Sequence, residues 1–137
     1  MLNSEMKRFM VDIKNLMIDD YVCYGCDDEY TFPIQIGGFN EHWDIWSSGD
    51  WFKRDDISPI PLTGKILEDN GFKALADGDY EIKYIDAETS LIWNNGSIYL
   101  AKYHTLSKEY TQIKECKHVL EFQHELKSLN IDTKIKL

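Results

Sequence analysis

The chain has 137 residues, of which 43% are hydrophobic and 13% aromatic, and its formal net charge at pH 7 is −9. This length and composition predict one packed domain, residues 1–137, and exclude a disordered chain. No apolar run approaches the roughly 18 residues that cross a bilayer, and an acidic chain repels the phosphate backbone. We therefore expect no membrane segment and no direct nucleic-acid binding.

The first residues show a helical pattern and no secretion signal. Apolar residues recur at i, i+3, i+4 and i+7 over Glu5 to Leu16, which predicts an amphipathic helix. Acidic and basic side chains are mixed before it, and the continuous apolar core of a signal peptide is missing. We expect the protein in a bacterial cytoplasm or in a virion.

Short β-strands are predicted to follow this helix. Gly37-Gly38 and Ser47 to Asp50 supply turn residues between β-rich runs. Strands at such close spacing predict a small curled sheet, SH3-like or a partial barrel. The four predicted strands are Asp20 to Cys26, Tyr30 to Ile36, Glu41 to Trp46 and Trp51 to Arg54.

Aromatic residues concentrate in this region, and strand alternation divides them between two faces. In the third predicted strand Trp43 and Ile45 share one face, which we assign to the core, and Trp46 points the opposite way. Because Trp and Tyr dominate interface hot spots, we predict a protein-contact surface at Trp46, Trp51 and Phe52. The alternative is that both faces of the sheet are covered, one of them by the first helix.

The centre of the chain predicts a short helix with defined ends. Pro59 and Pro61 forbid helix and favour extended backbone. Thr63 is a suitable N-cap, and Asn70-Gly71 is a suitable helix stop.

The second half predicts a β-meander and a long helix. Asn95-Gly96 favours a type I′ hairpin within a three-stranded antiparallel meander over Tyr80 to Tyr103. An apolar stripe predicts a helix from about Lys114 to Leu129 that buries Cys116, and alternation over Ile131 to Leu137 predicts an edge strand.

Together these elements predict an α+β fold. Small antiparallel sheets are combined with an N-terminal, a short central and a C-terminal helix. Within the single domain, residues 1–58 form a helix and a curled β segment, and residues 59–137 form a helix, the meander and a helix.

Cys23 and Cys26 form a CxxC pair, a spacing that suits a zinc site or a redox pair. Zinc needs further ligands, and the remaining candidates are Cys116, His118 and His124. Cys116-x-His118 lacks the usual ligand spacing, and the acidic residues after Cys26 disfavour a thiolate. We expect ordinary reduced cysteines, no metal and no cofactor. A small metal-binding protein or enzyme that uses Cys23 and Cys26 with a histidine is the alternative.

Catalytic signatures are missing from the sequence. No Ser or Cys lies in a nucleophile elbow, and Gly37-Gly38 lacks the Lys-Ser/Thr and the helix of a phosphate-binding loop. We therefore expect a protein without enzymatic activity. A further alternative is an acidic mimic of nucleic acid.

Three segments resemble a known family. The run from Pro59 to Phe72 reads P-I-P-L-T-x-x-I-L-x-x-N-G-F and resembles small uncharacterised proteins common in prophages and mobile elements of Bacteroidetes. Leu16 to Val22 is similar to that family's L-R-I-G-N-Y-V, with Asp19-Asp20 in place of glycine and asparagine, and Val119 to Gln123 resembles V-H-E-L-Q. The resemblance implies a scaffold and an origin, and it carries no activity. We therefore expect a phage or mobile-element accessory protein that acts through a protein partner, by modulating a host protein or as a minor virion or cargo component.

Overall fold

The computed structural model describes residues 16–25 and 32–137, and the predicted N-terminal helix and Cys26 lie outside them, apart from Leu16. Before residue 60 the chain forms two three-stranded antiparallel sheets, with strand orders β2-β1-β6 and β3-β4-β5. The six strands are β1 (Tyr21–Tyr24), β2 (Phe32–Gln35), β3 (Gly38–Phe39), β4 (Ile45–Ser47), β5 (Asp50–Phe52) and β6 (Ile57–Pro59).

The short central helix is confirmed. Helix α1 (Gly64–Asp69) begins after Thr63, whose side-chain oxygen accepts a hydrogen bond from the Ile66 amide at 3.3 Å. Gly71 follows the helix with φ of +86°, a conformation that glycine adopts without strain. The helix buries Leu67 completely.

The predicted meander is confirmed and is part of a larger sheet. Five antiparallel strands lie in the order β11-β10-β9-β8-β7. Asn95 and Gly96 both have positive φ, +43° and +86°, as a type I′ turn requires. The strands are β7 (Lys73–Ala74), β8 (Tyr80–Asp86), β9 (Thr89–Asn94), β10 (Ser97–Tyr103) and β11 (Lys108–Glu115).

The C-terminal helix is shorter than its apolar stripe predicted. Helix α2 (Val119–Ser128) begins five residues after Lys114, because the chain up to Glu115 pairs with β10 instead. Cys116 is buried as predicted, but it lies between β11 and α2. Strand β11 was not predicted, since almost all of its side chains are exposed and polar positions dominate it.

Residues 131–137 do not form the predicted edge strand. Instead the Asn70 side chain binds this segment through both of its polar atoms. Its Nδ2 donates to the Lys136 carbonyl at 3.0 Å and its Oδ1 accepts from the Lys136 amide at 2.7 Å. Ile135 is buried beside them in the main core. One side chain thus satisfies backbone groups that a neighbouring strand would otherwise have paired.

Helix α2 joins two hydrophobic cores. Val119, Phe122 and Leu126 lie in the core between the helices and the five-stranded sheet. Leu120 lies in a second core, which is formed by the N-terminal strands and contains Ile45. The architecture is therefore α+β with small antiparallel sheets, as the sequence predicted. Within the described part of the chain, neither helix is long and apolar enough to cross a membrane.

Candidate functional site

Two tryptophans lie side by side on the outer face of the β3-β4-β5 sheet. Trp46 on β4 pairs with Trp51 on β5, and their ring centroids are 5.2 Å apart with the ring planes at 57°. The side chains are 37% and 53% exposed, respectively. We call these two residues the Trp46–Trp51 face.

Glycines beneath Trp46 shape this face. Gly38 is its cross-strand partner on β3. A Cβ added at Gly37 would lie 3.3 Å from the Trp46 ring, closer than side chains normally approach. The indole therefore packs against bare backbone on one side and against Trp51 on the other. Local sheet geometry fixes the ring, while its outer surface stays accessible.

The assignment of Trp43 to the core was wrong. The strand begins at Ile45, and Trp43 lies in the preceding turn with φ of +63° and 49% of its side chain exposed. Asn40 organises that turn, because its side-chain oxygen accepts hydrogen bonds from the amides of His42 and Asp44 at 2.9 Å each. Alternation therefore does not extend back to Trp43. Ile45 is fully buried, as predicted.

Phe52, the third residue of the predicted surface, does not join the two tryptophans. It pairs with Ile45 on the inner face of the sheet and is half-buried. Its ring contacts Tyr24 edge-on, with centroids 4.8 Å apart, and it packs against the second core. We therefore restrict the candidate surface to Trp46 and Trp51.

The segment that carries the Trp46–Trp51 face is acidic. Between residues 41 and 56 the chain has five acidic and two basic residues, a net charge of −3 within a protein of net charge −9. Asp50 is exposed at the start of β5, where it pairs with Ser47 and therefore lies on the face opposite to Trp46 and Trp51. Of the two basic residues, Arg54 already lies 3.8 Å from the Asp55 carboxylate. The two tryptophans therefore lie in an acidic segment of the chain.

The predicted metal-ligand candidates do not converge within the described residues. Cys116 is fully buried, and burial, helped by Glu121 and Glu125, raises the pKa of its thiol to about 12. His118 lies 2.5 Å from Glu121, and His124 lies 2.7 Å from Asp20. Across residues 16–25 and 32–137, no three His, Cys, Asp or Glu side chains are grouped to hold a metal ion.

A polar junction between β1 and α2 was not predicted. The Gln123 side chain accepts from the Tyr21 amide and donates to the Asp19 carbonyl, each at 2.9 Å. Asp20, which contacts His124, is almost completely buried. Burial raises the pKa of its carboxyl, and the hydrogen bonds from the Met17 backbone and the His124 ring, which lower the pKa, only partly oppose this. The partners are more than 100 positions apart, so no local pattern could reveal them. These contacts join the start of β1 to α2 and indicate a structural role.

A second unpredicted polar cluster closes the five-stranded sheet. Asp79 precedes β8, yet its carboxylate accepts hydrogen bonds from Lys108 at 2.8 Å and Tyr110 at 2.9 Å on β11. In a flat sheet strands β8 and β11 would be about 14 Å apart. The contact therefore joins the residue before β8 to β11, two strands that are not neighbours in the sheet.

Comparisons of the chain with protein-family models, with curated proteins and with solved structures give no match.

Proposed function

We propose that this protein is a non-enzymatic accessory protein of a phage or mobile element that acts through protein–protein contacts. The observation that carries the proposal is the Trp46–Trp51 face, where two large aromatic side chains remain accessible on a sheet whose other face is packed. Rigid aromatic side chains of this kind supply most of the binding energy in many interfaces. The family resemblance of the central segment supports the mobile-element origin.

Under this proposal the protein works in the cytoplasm of a Bacteroidetes host or within a virion, by modulating a host protein or as a minor structural or cargo component. The N-terminal half then serves as an SH3-like or partial-barrel scaffold that presents the face. Because the clusters around Asp20 and Asp79 each bridge separate elements, we assign them to stability and place the function at the aromatic surface.

Affinity capture with matched variants tests the proposal. We expect Trp46→Ala and Trp51→Ala to lose a protein that the wild-type chain retains from host lysate. Tyr84→Ala is the control, since Tyr84 is a similarly exposed aromatic residue on the other sheet. A partner that both tryptophan variants retain, or that Tyr84→Ala also loses, would show that this face is not the contact site.

A further inference from the structure

We propose that strand β11 pairs with β11 of a second copy of this chain, so that two molecules join their five-stranded sheets about a two-fold axis. This inference goes beyond the proposed function and does not depend on the Trp46–Trp51 face. It follows from the position of β11 at a sheet edge and from the order of its side chains, which is Lys-Glu-Tyr-Thr-Gln-Ile-Lys-Glu.

Strand β11 is the longest edge strand in the described part of the chain. It has eight residues, whereas the other edge strands of the three sheets have two to four. No described strand pairs with its outer side, and seven of its eight residues are exposed. An edge strand presents unpaired backbone N–H and C=O groups on alternate residues, which form a template for a further strand. The outer side of β11 can therefore accept one.

A β-bulge in β11 determines which of its charged side chains share a face. The pairing with β10 skips Ile113, so the eight residues of β11 fill seven positions of the ladder. Glu109 pairs with Lys102, and Lys114 pairs with Ile98. Because residues four apart on β10 lie on the same face, Glu109 and Lys114 also share a face. In a regular strand two residues five apart would lie on opposite faces.

With the bulge counted as one position, β11 is complementary to itself. A two-fold axis at Thr111 places this residue opposite Thr111 of the second copy. The cross-strand pairs are then Thr111 with Thr111, Tyr110 with Gln112 and Ile113, Glu109 with Lys114, and Lys108 with Glu115. Opposite charges and paired threonines directly across an antiparallel ladder are favourable. A two-fold axis also makes the contact self-complementary and closed, which gives a dimer.

Other registers lose this match. A shift by one position would exchange the two faces of the strand, so the nearest alternatives move one strand by two positions. One of them places Tyr110 opposite Tyr110 and the other places Gln112 opposite Gln112, and neither brings a lysine opposite a glutamate. Charged side chains commonly protect an edge strand from pairing. On β11 the same charges permit pairing in a single register.

The charge of β11 favours a second copy of the chain as the occupant. Its two lysines and two glutamates cancel, although the whole chain has a net charge of −9. The side chains of Glu109 and Lys114 are 69% and 54% exposed, and each also contacts an ionisable side chain of its own chain at 3.4 Å. Lys108 is held by Asp79, so we assign the choice of register to the two Glu109–Lys114 pairs.

Sedimentation equilibrium of charge variants tests the inference. We expect the wild-type chain to form a dimer at about 100 μM, an affinity that suits a small contact. Glu109→Lys would face Lys114 of the other copy, and Lys114→Glu would face Glu109. Because like charges across a ladder are unfavourable, each variant should dimerise about tenfold more weakly. A wild-type chain that is monomeric at about 1 mM, or a dimer that neither variant weakens, would overturn the proposal.

Mixing the two variants separates strand pairing from a folding defect. In a mixed dimer each introduced charge faces an opposite charge of the other variant. We therefore expect equal amounts of Glu109→Lys and Lys114→Glu to dimerise within about threefold of wild type, although neither variant does so alone. A damaged fold would not be repaired by mixing. If the mixture dimerises as weakly as the separate variants, the pairing is wrong.

Two controls separate this pairing from net charge and from the Trp46–Trp51 face. Asp132→Lys changes the net charge as much as Glu109→Lys does, at an exposed position near the C-terminus, and should not weaken the dimer. Trp46→Ala should leave the dimer unchanged, because Trp46 lies on a different sheet. If Asp132→Lys weakens the dimer as much as Glu109→Lys, or if Trp46→Ala abolishes it, β11 is not the contact.

Discussion

Asp79 is a buried carboxylate that accepts three hydrogen bonds from side chains on two other strands. Lys108 and Tyr110 donate to one oxygen, and Asn94 donates to the other at 2.6 Å. Burial by itself would raise the pKa of Asp79, but these bonds outweigh it and hold the pKa below the ordinary value of 3.8. The Asp79 carboxylate also keeps the pKa of Lys108 above its ordinary value, against the opposing effect of burial.

This shift predicts an acid-sensitive contribution to stability. Because the pKa of Asp79 is lower in the folded state, its contribution is complete above pH 3.8 and is lost as the pH falls below that value. We expect Asp79→Asn to lower the free energy of unfolding by roughly 2–4 kcal/mol at neutral pH. The difference in the free energy of unfolding between wild type and Asp79→Asn should become smaller at about pH 3 and below, as measured by urea unfolding.

Comparing wild type with Asp79→Asn isolates the effect of the Asp79 carboxylate on stability. The raised pKa of Asp20 acts in the opposite direction, but it is common to both proteins and cancels. Asp132→Asn is the control, because Asp132 is exposed and the same substitution there should change stability little at any pH. A difference that stays constant between neutral pH and pH about 3 would contradict the assignment.

Trp43 and Ile45 provide a second test at the residue scale. Trp43 is half exposed, with an edge contact to Phe39 at 5.8 Å, whereas Ile45 is fully buried. We expect Trp43→Ala to lower the free energy of unfolding by about 1 kcal/mol, the contribution of one aromatic contact. Ile45→Ala should cost about 2–5 kcal/mol as a core truncation. If both variants lost the same free energy of unfolding in denaturant, Trp43 would belong to the core after all.

At the scale of elements, the hairpin between β9 and β10 depends on Gly96. Its φ of +86° is difficult for a β-branched residue, and an added Cβ would lie 3.1 Å from the Lys117 side chain. We expect Gly96→Val to destabilise the protein by about 1–3 kcal/mol. Denaturation midpoints provide the measurement.

Asn95→Gly is the matched control for this turn. Glycine also accepts the φ of +43° observed at Asn95, so the hairpin should survive with little change in stability. An unchanged midpoint for Gly96→Val would show that the turn tolerates a side chain and that the hairpin does not determine stability.

Helix α2 contacts two distant segments of the chain. Its first amide, from Val119, donates to the Ile60 carbonyl at 2.8 Å, next to a backbone bridge between Pro61 and His118. Gln123 on the same helix binds both sides of the Asp19–Tyr21 segment. The chain before α1 and the start of β1 thus meet at α2, and their contacts there join separate parts of the fold.

At the scale of the whole molecule, metal content separates the proposed function from the metal-binding alternative. We expect the purified protein to contain no stoichiometric zinc. Of the predicted ligand candidates, Cys116 is buried with a raised thiol pKa, and His118 and His124 are engaged with carboxylates. Elemental analysis provides the measurement. About one zinc per chain, lost together with stability in Cys23→Ser, would support the alternative.

Local chemistry was enough to predict several elements of this protein. Thr63 and Asn70-Gly71 define α1, and Asn95-Gly96 defines a hairpin, because caps and tight turns depend on a few neighbouring residues. The α+β class followed from the same local patterns. The exposure of Trp46 also followed from alternation, since it lies within the observed strand.

Other features were decided only by contacts between distant parts of the chain. Lys108 to Glu115 is a polar segment that becomes a strand because β10 supplies its hydrogen bonds, and this pairing delays α2. Trp43 is exposed because Asn40 turns the chain before β4 begins. Asp79 is one of 24 acidic residues, and only the folded five-stranded sheet brings Lys108 to it. Burial and ion pairing depend on which distant segments come into contact in the folded chain. Local sequence patterns do not predict such contacts.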